Sequence, residues 1–144
     1  MRVLVQRSGK SSVTVDSKTV GKIDEGLVVL VGFTEGDNMD NISYLAKKIV
    51  NLRIFPDEAG VMNKSILDYG GSILSISQFT LYADTKKGNR PSYVEALNGN
   101  EASILYDSFN CELEKYVKVE KGVFGADMIV SITNIGPTTI MLER

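Results

Sequence analysis

The chain has 144 residues, 43% of them hydrophobic and 24% charged, the profile of an ordinary soluble domain with one core spanning residues 1–144. A formal net charge of −2 argues against a protein that coats nucleic acid broadly, which needs many phosphate-neutralising cations, though it leaves room for a local basic patch that grips one RNA end. The sequence holds no histidine and a single cysteine, so Ser-His and Cys-His pairs, a disulfide within the chain and a Cys/His zinc site are all excluded.

In chain order, Val3–Gln6 reads as an opening strand, and MRVLVQR, with charges spaced among apolar residues, is not a signal peptide. Ser12–Asp16 and Thr19–Ile23 read as two strands around a turn at Ser17 and Lys18. The run from Leu27 to Phe33 has the pattern of a strand buried on both faces, and it is too short to cross a bilayer. Asp37 is the expected N-cap of an amphipathic helix whose stripe is Ile42, Leu45, Ala46, Ile49 and Leu52. Residues 51–55 are expected to turn extended ahead of Pro56, DEAG to form a turn, and MNKSILDYGG to be irregular. Ser72–Thr80 is predicted as one strand, with Ile73, Ser75, Ser77 and Phe79 on one face and Leu74, Ile76, Gln78 and Thr80 on the other. Asn98 or Asn100 caps a second helix with the stripe Ala102, Leu105, Tyr106, Phe109, Leu113 and Tyr116, which leaves Cys111 off centre as a structural or exposed thiol. Residues 128–133 alternate as a strand, Asn134 to Pro137 interrupt, and 138–142 resume.

The class is therefore α/β (α+β), with a mixed, largely antiparallel sheet or barrel-like core and two main helices. Two helices cannot cover every face of so many strands, and a homodimer is a natural way to bury the remainder.

Three stretches carry candidate chemistry. Ser77, Gln78, Phe79 and Thr80 place a hydroxyl, an amide, a ring and a second hydroxyl in consecutive positions where a strand ends. There, backbone N–H groups lose their sheet partners and become available as an oxyanion hole; the bland reading is a strand end whose polar groups are satisfied internally. Thr80 lacks any visible base to make it a nucleophile. Around Gly136 and Pro137, a turn is the bland reading, but a rigid loop also offers carbonyls that accept from an ammonium group and sense the position of a small substituent. Arg7 has a planar fork able to clamp the carbonyls of another loop. Asp84 and Asp127 are weaker general-base candidates, and Lys86, Lys87 and Arg90 form the densest basic run.

MRVLVQR, GLVVLVGFTEGD, NLRIFPDEAGVMNKSILDYGG, SQFTLYAD, KKGNRPSY and FGADMIVSITNIGPTT together resemble the D-aminoacyl-tRNA deacylase family across essentially the whole chain. SQFTLYAD and the NxGPxT stretch match its two signatures, in the expected order; RSGKSSV near the start departs from the RVxxASV of the family and touches neither signature. The resemblance implies hydrolysis of the ester that joins a D-amino acid to tRNA, with no cofactor and no metal, in a cytoplasmic homodimer with no membrane attachment. Its substrate would be aminoacyl-tRNA, held by the 3′-terminal adenosine and the attached amino acid. It also implies a cis bond between Gly136 and Pro137, with that pair inserted into the partner subunit's pocket. The N–H groups around Gln78, Phe79 and Thr80 would hold the scissile carbonyl, and Arg7 would brace the Gly-Pro loop. L side chains would collide with that loop, whereas glycine would escape it. Three other readings remain: a dimer that binds RNA ends without turnover, a metal-dependent hydrolase using Asp84 or Asp127, and a structural dimer.

Overall fold

The computed structural model describes residues 1–144. Its centre is a five-stranded mixed sheet in the order β10-β1-β4-β7-β8, formed by Asn134–Glu143, Arg2–Ser8, Gly26–Gly32, Ser72–Ser77 and Val119–Lys121. β1 pairs antiparallel with β10 and β4, while β4, β7 and β8 run parallel. The predicted mixed α+β class is what the chain adopts. β8 went unread in the sequence because three residues show no alternation to detect.

Two helices cover one face, α1 (Met39–Val50) and α3 (Gly99–Glu114). Val3, Val5, Leu27, Val29, Val31 and Ile73 meet Ile42, Leu45, Ala46 and Ile49 of α1 and Ala102, Tyr106, Phe109 and Leu113 of α3 in one apolar cluster. Each fully buried Leu, Ile or Phe in it contributes about 1.5–3 kcal/mol relative to exposure. The stripes predicted for both helices are the buried ones, except that Leu105 is only partly buried and Leu52 and Tyr116 fall beyond the helix ends. Asn98 caps α3, accepting from Glu101 N–H. The cap of α1 is Asn38 rather than Asp37: Asn38 Oδ1 accepts from Asp40 N–H at 2.9 Å, while Asp37 turns back to accept from Thr34 N–H and from the Met1 ammonium.

On the other face, a three-stranded sheet of β3 (Lys18–Ile23), β2 (Ser11–Val15) and β9 (Ile129–Ser131) packs Val13 and Ile23 over Val28, Leu74 and Ile76. β5 (Phe55–Pro56) and β6 (Met62–Lys64) form a small hairpin, closed by the DEAG turn. The MNKSILDYGG segment, expected to be irregular, contains β6 and a one-turn helix, α2 (Ile66–Tyr69). Ser65 and Asp68 cap each other there, a short-range signal that apolar periodicity cannot show. No helix is long and apolar enough to cross a membrane.

Candidate active site

β4, β7 and β8 end on the same side of the sheet, and their carboxyl ends open into a cavity of about 600 Å³. Crevices at the carboxyl ends of parallel strands are where such sheets bind ligands. Val31 and Gly32 line it from β4 and Phe33 from just beyond it, Ile76 and Ser77 from β7, and Phe124–Met128 from the chain that follows β8. Tyr93, Leu97 and Ala102 complete it from the segment that enters α3, giving a mostly apolar lining with a few polar groups.

The predicted strand Ser72–Thr80 stops at Ser77, and Phe79–Tyr82 form a turn of 3-10 helix. Alternation therefore ends at Gln78. Gln78 donates its backbone N–H to Val31 O at 2.7 Å, and its O accepts from Leu81 N–H. Gln78 N–H is thereby spent, whereas the N–H groups of Phe79 and Thr80 precede the first closed turn and have no acceptor within the helix. Ser77, Gln78 and Phe79 line the cavity; Thr80 does not, and its hydroxyl accepts from the Gln78 side-chain amide.

Two neighbours fix this turn. Gly32 lets β4 pass so close that a Cβ there would stand 2.8 Å from Gln78 O. Arg2 donates to Leu81 O at 2.9 Å and lays its guanidinium 4.5 Å from the centre of the Tyr82 ring. Burial pushes the Tyr82 phenol up to about 12, so that it stays neutral under the arginine. From α3, Tyr106 donates to Ser75 O at 2.8 Å, tying the helix to β7 two residues before Ser77.

Gly136 and Pro137 do not interrupt a strand pair in the way a hairpin turn would; they belong to an excursion within β10. Gln6 pairs with Thr139 and Ser8 with Asn134, so Arg7 alone on β1 faces four residues, 135 to 138. A bulge of this size expels the chain from the sheet. The Gly136-Pro137 bond is cis, both residues are exposed, and neither lines the cavity of its own protomer. Arg7 stands at the base, donating to Ile135 O at 3.3 Å and to Ile54 O at 2.7 Å. It thus joins the excursion to the segment leading into β5, and its fork meets carbonyls of two separate stretches.

Asp127 lines the cavity, whereas Asp84 pairs with Ser92 and accepts from Lys86 N–H, away from it. No group of three or more Cys, Asp or Glu side chains comes together as a metal-ligating set. Of these walls the sequence pointed only to Asp127; Tyr93, Leu97 and the rest of residues 124–128 escaped it. Three parallel strand ends would have pointed to them, had β8 been recognised.

A cleft with free backbone donors at a strand end, in a chain without imidazole, is equipped for hydrolysis by positioning and oxyanion stabilisation. The family whose sequence model is described as D-Tyr-tRNA(Tyr) deacylase matches residues 4–143, and the chain belongs to that family. It is accordingly a hydrolase of the aminoacyl-tRNA ester bond. Among solved structures, one described as "c-Myc DNA Unwinding Element Binding Protein" is 39% identical, with a TM-score of 0.95 over 100% of this chain and 99% of that one. Another, described as a probable eukaryotic D-amino acid tRNA deacylase, shares the fold at 17% identity, with a TM-score of 0.84 over 98% and 97% of the two chains.

Proposed function

We propose that this protein works as a cytoplasmic homodimer that clears D-amino acids, and glycine, from tRNA while sparing L-aminoacyl esters. The observation that carries this reading is the four-residue excursion opposite Arg7: an exposed, braced loop that does not line its own cavity. Such a loop is suited to enter the cavity of a second copy. In that setting the Gly136 and Pro137 carbonyls face the substrate ammonium, and an L side chain strikes the loop. A D side chain points to solvent, and glycine has nothing to exclude.

The chemistry then needs little from side chains. Water attacks the ester carbonyl carbon; the new C–O bond forms as the carbonyl electrons move onto oxygen. The Phe79 and Thr80 N–H groups hold that oxyanion, and Ser77 and Gln78 shape the floor around it. Collapse breaks the bond to the ribose 3′-oxygen, which takes up a proton, releasing the amino acid and tRNA. The adjacent ribose 2′-hydroxyl is a natural proton carrier in a chain without histidine. One oxyanion donor is worth about 10²–10³ in rate.

D-Tyr-tRNA and L-Tyr-tRNA, assayed side by side with chelator present, test this. Rapid loss of the D-ester alone is the expected result. Cleavage abolished by the chelator would favour a metal-dependent hydrolase, and no cleavage above buffer would favour an RNA-end-binding dimer. One structural relative is described as binding a DNA element. At a net charge of −2, this chain lacks the broad cationic surface that coating a duplex requires.

A further inference from the structure

We propose that the hairpin between Asp84 and Ser92 is a phosphate-binding arm that holds the single-stranded nucleotides just upstream of the terminal adenosine. This rests on the tRNA-ester reading above. The run of charge is mounted on a built element. Asp84 and Ser92 exchange two backbone hydrogen bonds, of 2.8 and 2.9 Å. Asp84 Oδ1 accepts from Lys86 N–H at 2.9 Å, and Gly88, at φ 71°, turns the tip.

Lys86, Lys87 and Arg90 are all exposed and in no ion pair; other surface cations such as Lys47 and Lys48 are also unpaired, and what sets these three apart is that they cluster within residues 86–90. No acidic residue lies between Asp84 and Glu95, so the intervening segment carries +3 on a molecule whose total is −2. Cations left unpaired on a net-negative protein are the complement of a polyanion, and a hairpin holds them at a fixed place.

The arm's position selects the polyanion. Both of its ends leave from the cavity: one follows the Phe79–Tyr82 turn, and the other runs into Tyr93, which lines the cavity. Phe79 and Tyr93 meet edge to face with centroids 5.0 Å apart, and both rings are exposed. Cations beside exposed rings are the pattern of a single-strand binding groove. The loop of residues 85–91 is closed by the one bridge between Asp84 and Ser92, which keeps its three cations within a few residues of the cavity-lining Phe79 and Tyr93. A strand that leaves the cavity beside Phe79 and Tyr93 passes these cations.

The test compares two substrates, D-Tyr-tRNA and the D-tyrosyl ester of adenosine, which has no phosphate. The native protein is set against a variant carrying Lys86→Gln, Lys87→Gln and Arg90→Gln. We expect the ratio of kcat/KM on tRNA to kcat/KM on the short ester to fall at least tenfold, through KM on tRNA. The slope of log kcat/KM against log salt on tRNA should flatten by about 2, near 0.7 for each of three lost phosphate contacts. A parallel variant, Lys47→Gln with Lys48→Gln on the solvent side of α1, should leave the ratio where it was. An unchanged ratio in the hairpin variant, or equal losses on both substrates, overturns the proposal. If the native protein cleaves neither ester, the deacylase reading itself has failed, which is a different result.

Discussion

Gly136 is the residue on which the proposed stereochemical filter turns. Its φ of 117° disfavours any L side chain, and a Cβ would come within 2.7 Å of Thr138 Oγ1 and 3.0 Å of Arg7 Nη2. Adding that one carbon displaces the loop from its brace without touching the core. Gly136→Ala should therefore lower kcat/KM on D-Tyr-tRNA by at least about tenfold and narrow the ratio of D- to L-ester cleavage, the signature of a misplaced positioning group. Its melting temperature should stay close to native, because the loop is exposed. Native rates on both esters would remove the loop from the mechanism. Arg7 shows what a single position can and cannot disclose. The sequence suggested a fork that clamps carbonyls, while the identity of those carbonyls, Ile135 and Ile54, depends on a register that no local signal announces.

At the scale of elements, the 3-10 turn after β7 decides which donors face the cavity. The strand was predicted through Thr80, but Gln78 N–H makes the last ladder bond to β4 while its O accepts from Leu81 N–H and closes the turn. Gly32 makes that approach possible. In Gly32→Ala, the new methyl meets backbone, which cannot swing aside, so β4 and the turn must separate. Overpacking of this kind costs about 1–3 kcal/mol. For a chain of this length that corresponds to a fall of roughly 3–10 °C in Tm. Losing one oxyanion donor should also cut kcat about 10²-fold. Calorimetry and single-turnover kinetics check the two effects separately. A native kcat at a lowered Tm would mean the turn supplies packing alone.

Across the whole molecule, the five-stranded sheet is covered unevenly. The helices hide one face, and the β3-β2-β9 sheet hides the part of the other that contains Val28, Leu74 and Ile76. Beyond it, Met141 of β10 pairs with Leu4 of β1, which pairs with Leu30 of β4, leaving an apolar row on that second face next to the Gly-Pro excursion. Met141 is 47% exposed. In the proposed dimer this row lies in the interface, so Met141→Glu should yield a monomer by sedimentation, with native circular dichroism and loss of D-ester cleavage. A variant that stays dimeric, or a monomer that remains fully active, would separate the site from self-association.

The sequence by itself determined the class, both long helices and the two stretches on which the proposed chemistry rests. Apolar periodicity is local and survives without knowledge of neighbours, and Ser77–Phe79 do line the cavity. The missing histidine was equally legible, and it removed whole mechanisms before any fold was known. Only the tertiary structure decided that Gln78 N–H is spent, that Arg7 faces a four-residue excursion, and that three parallel strand ends share one cavity. Each of those facts is a pairing between residues distant in the chain. Such pairings are set by register and by the packing of one element on another, and neither is encoded in any single stretch of sequence.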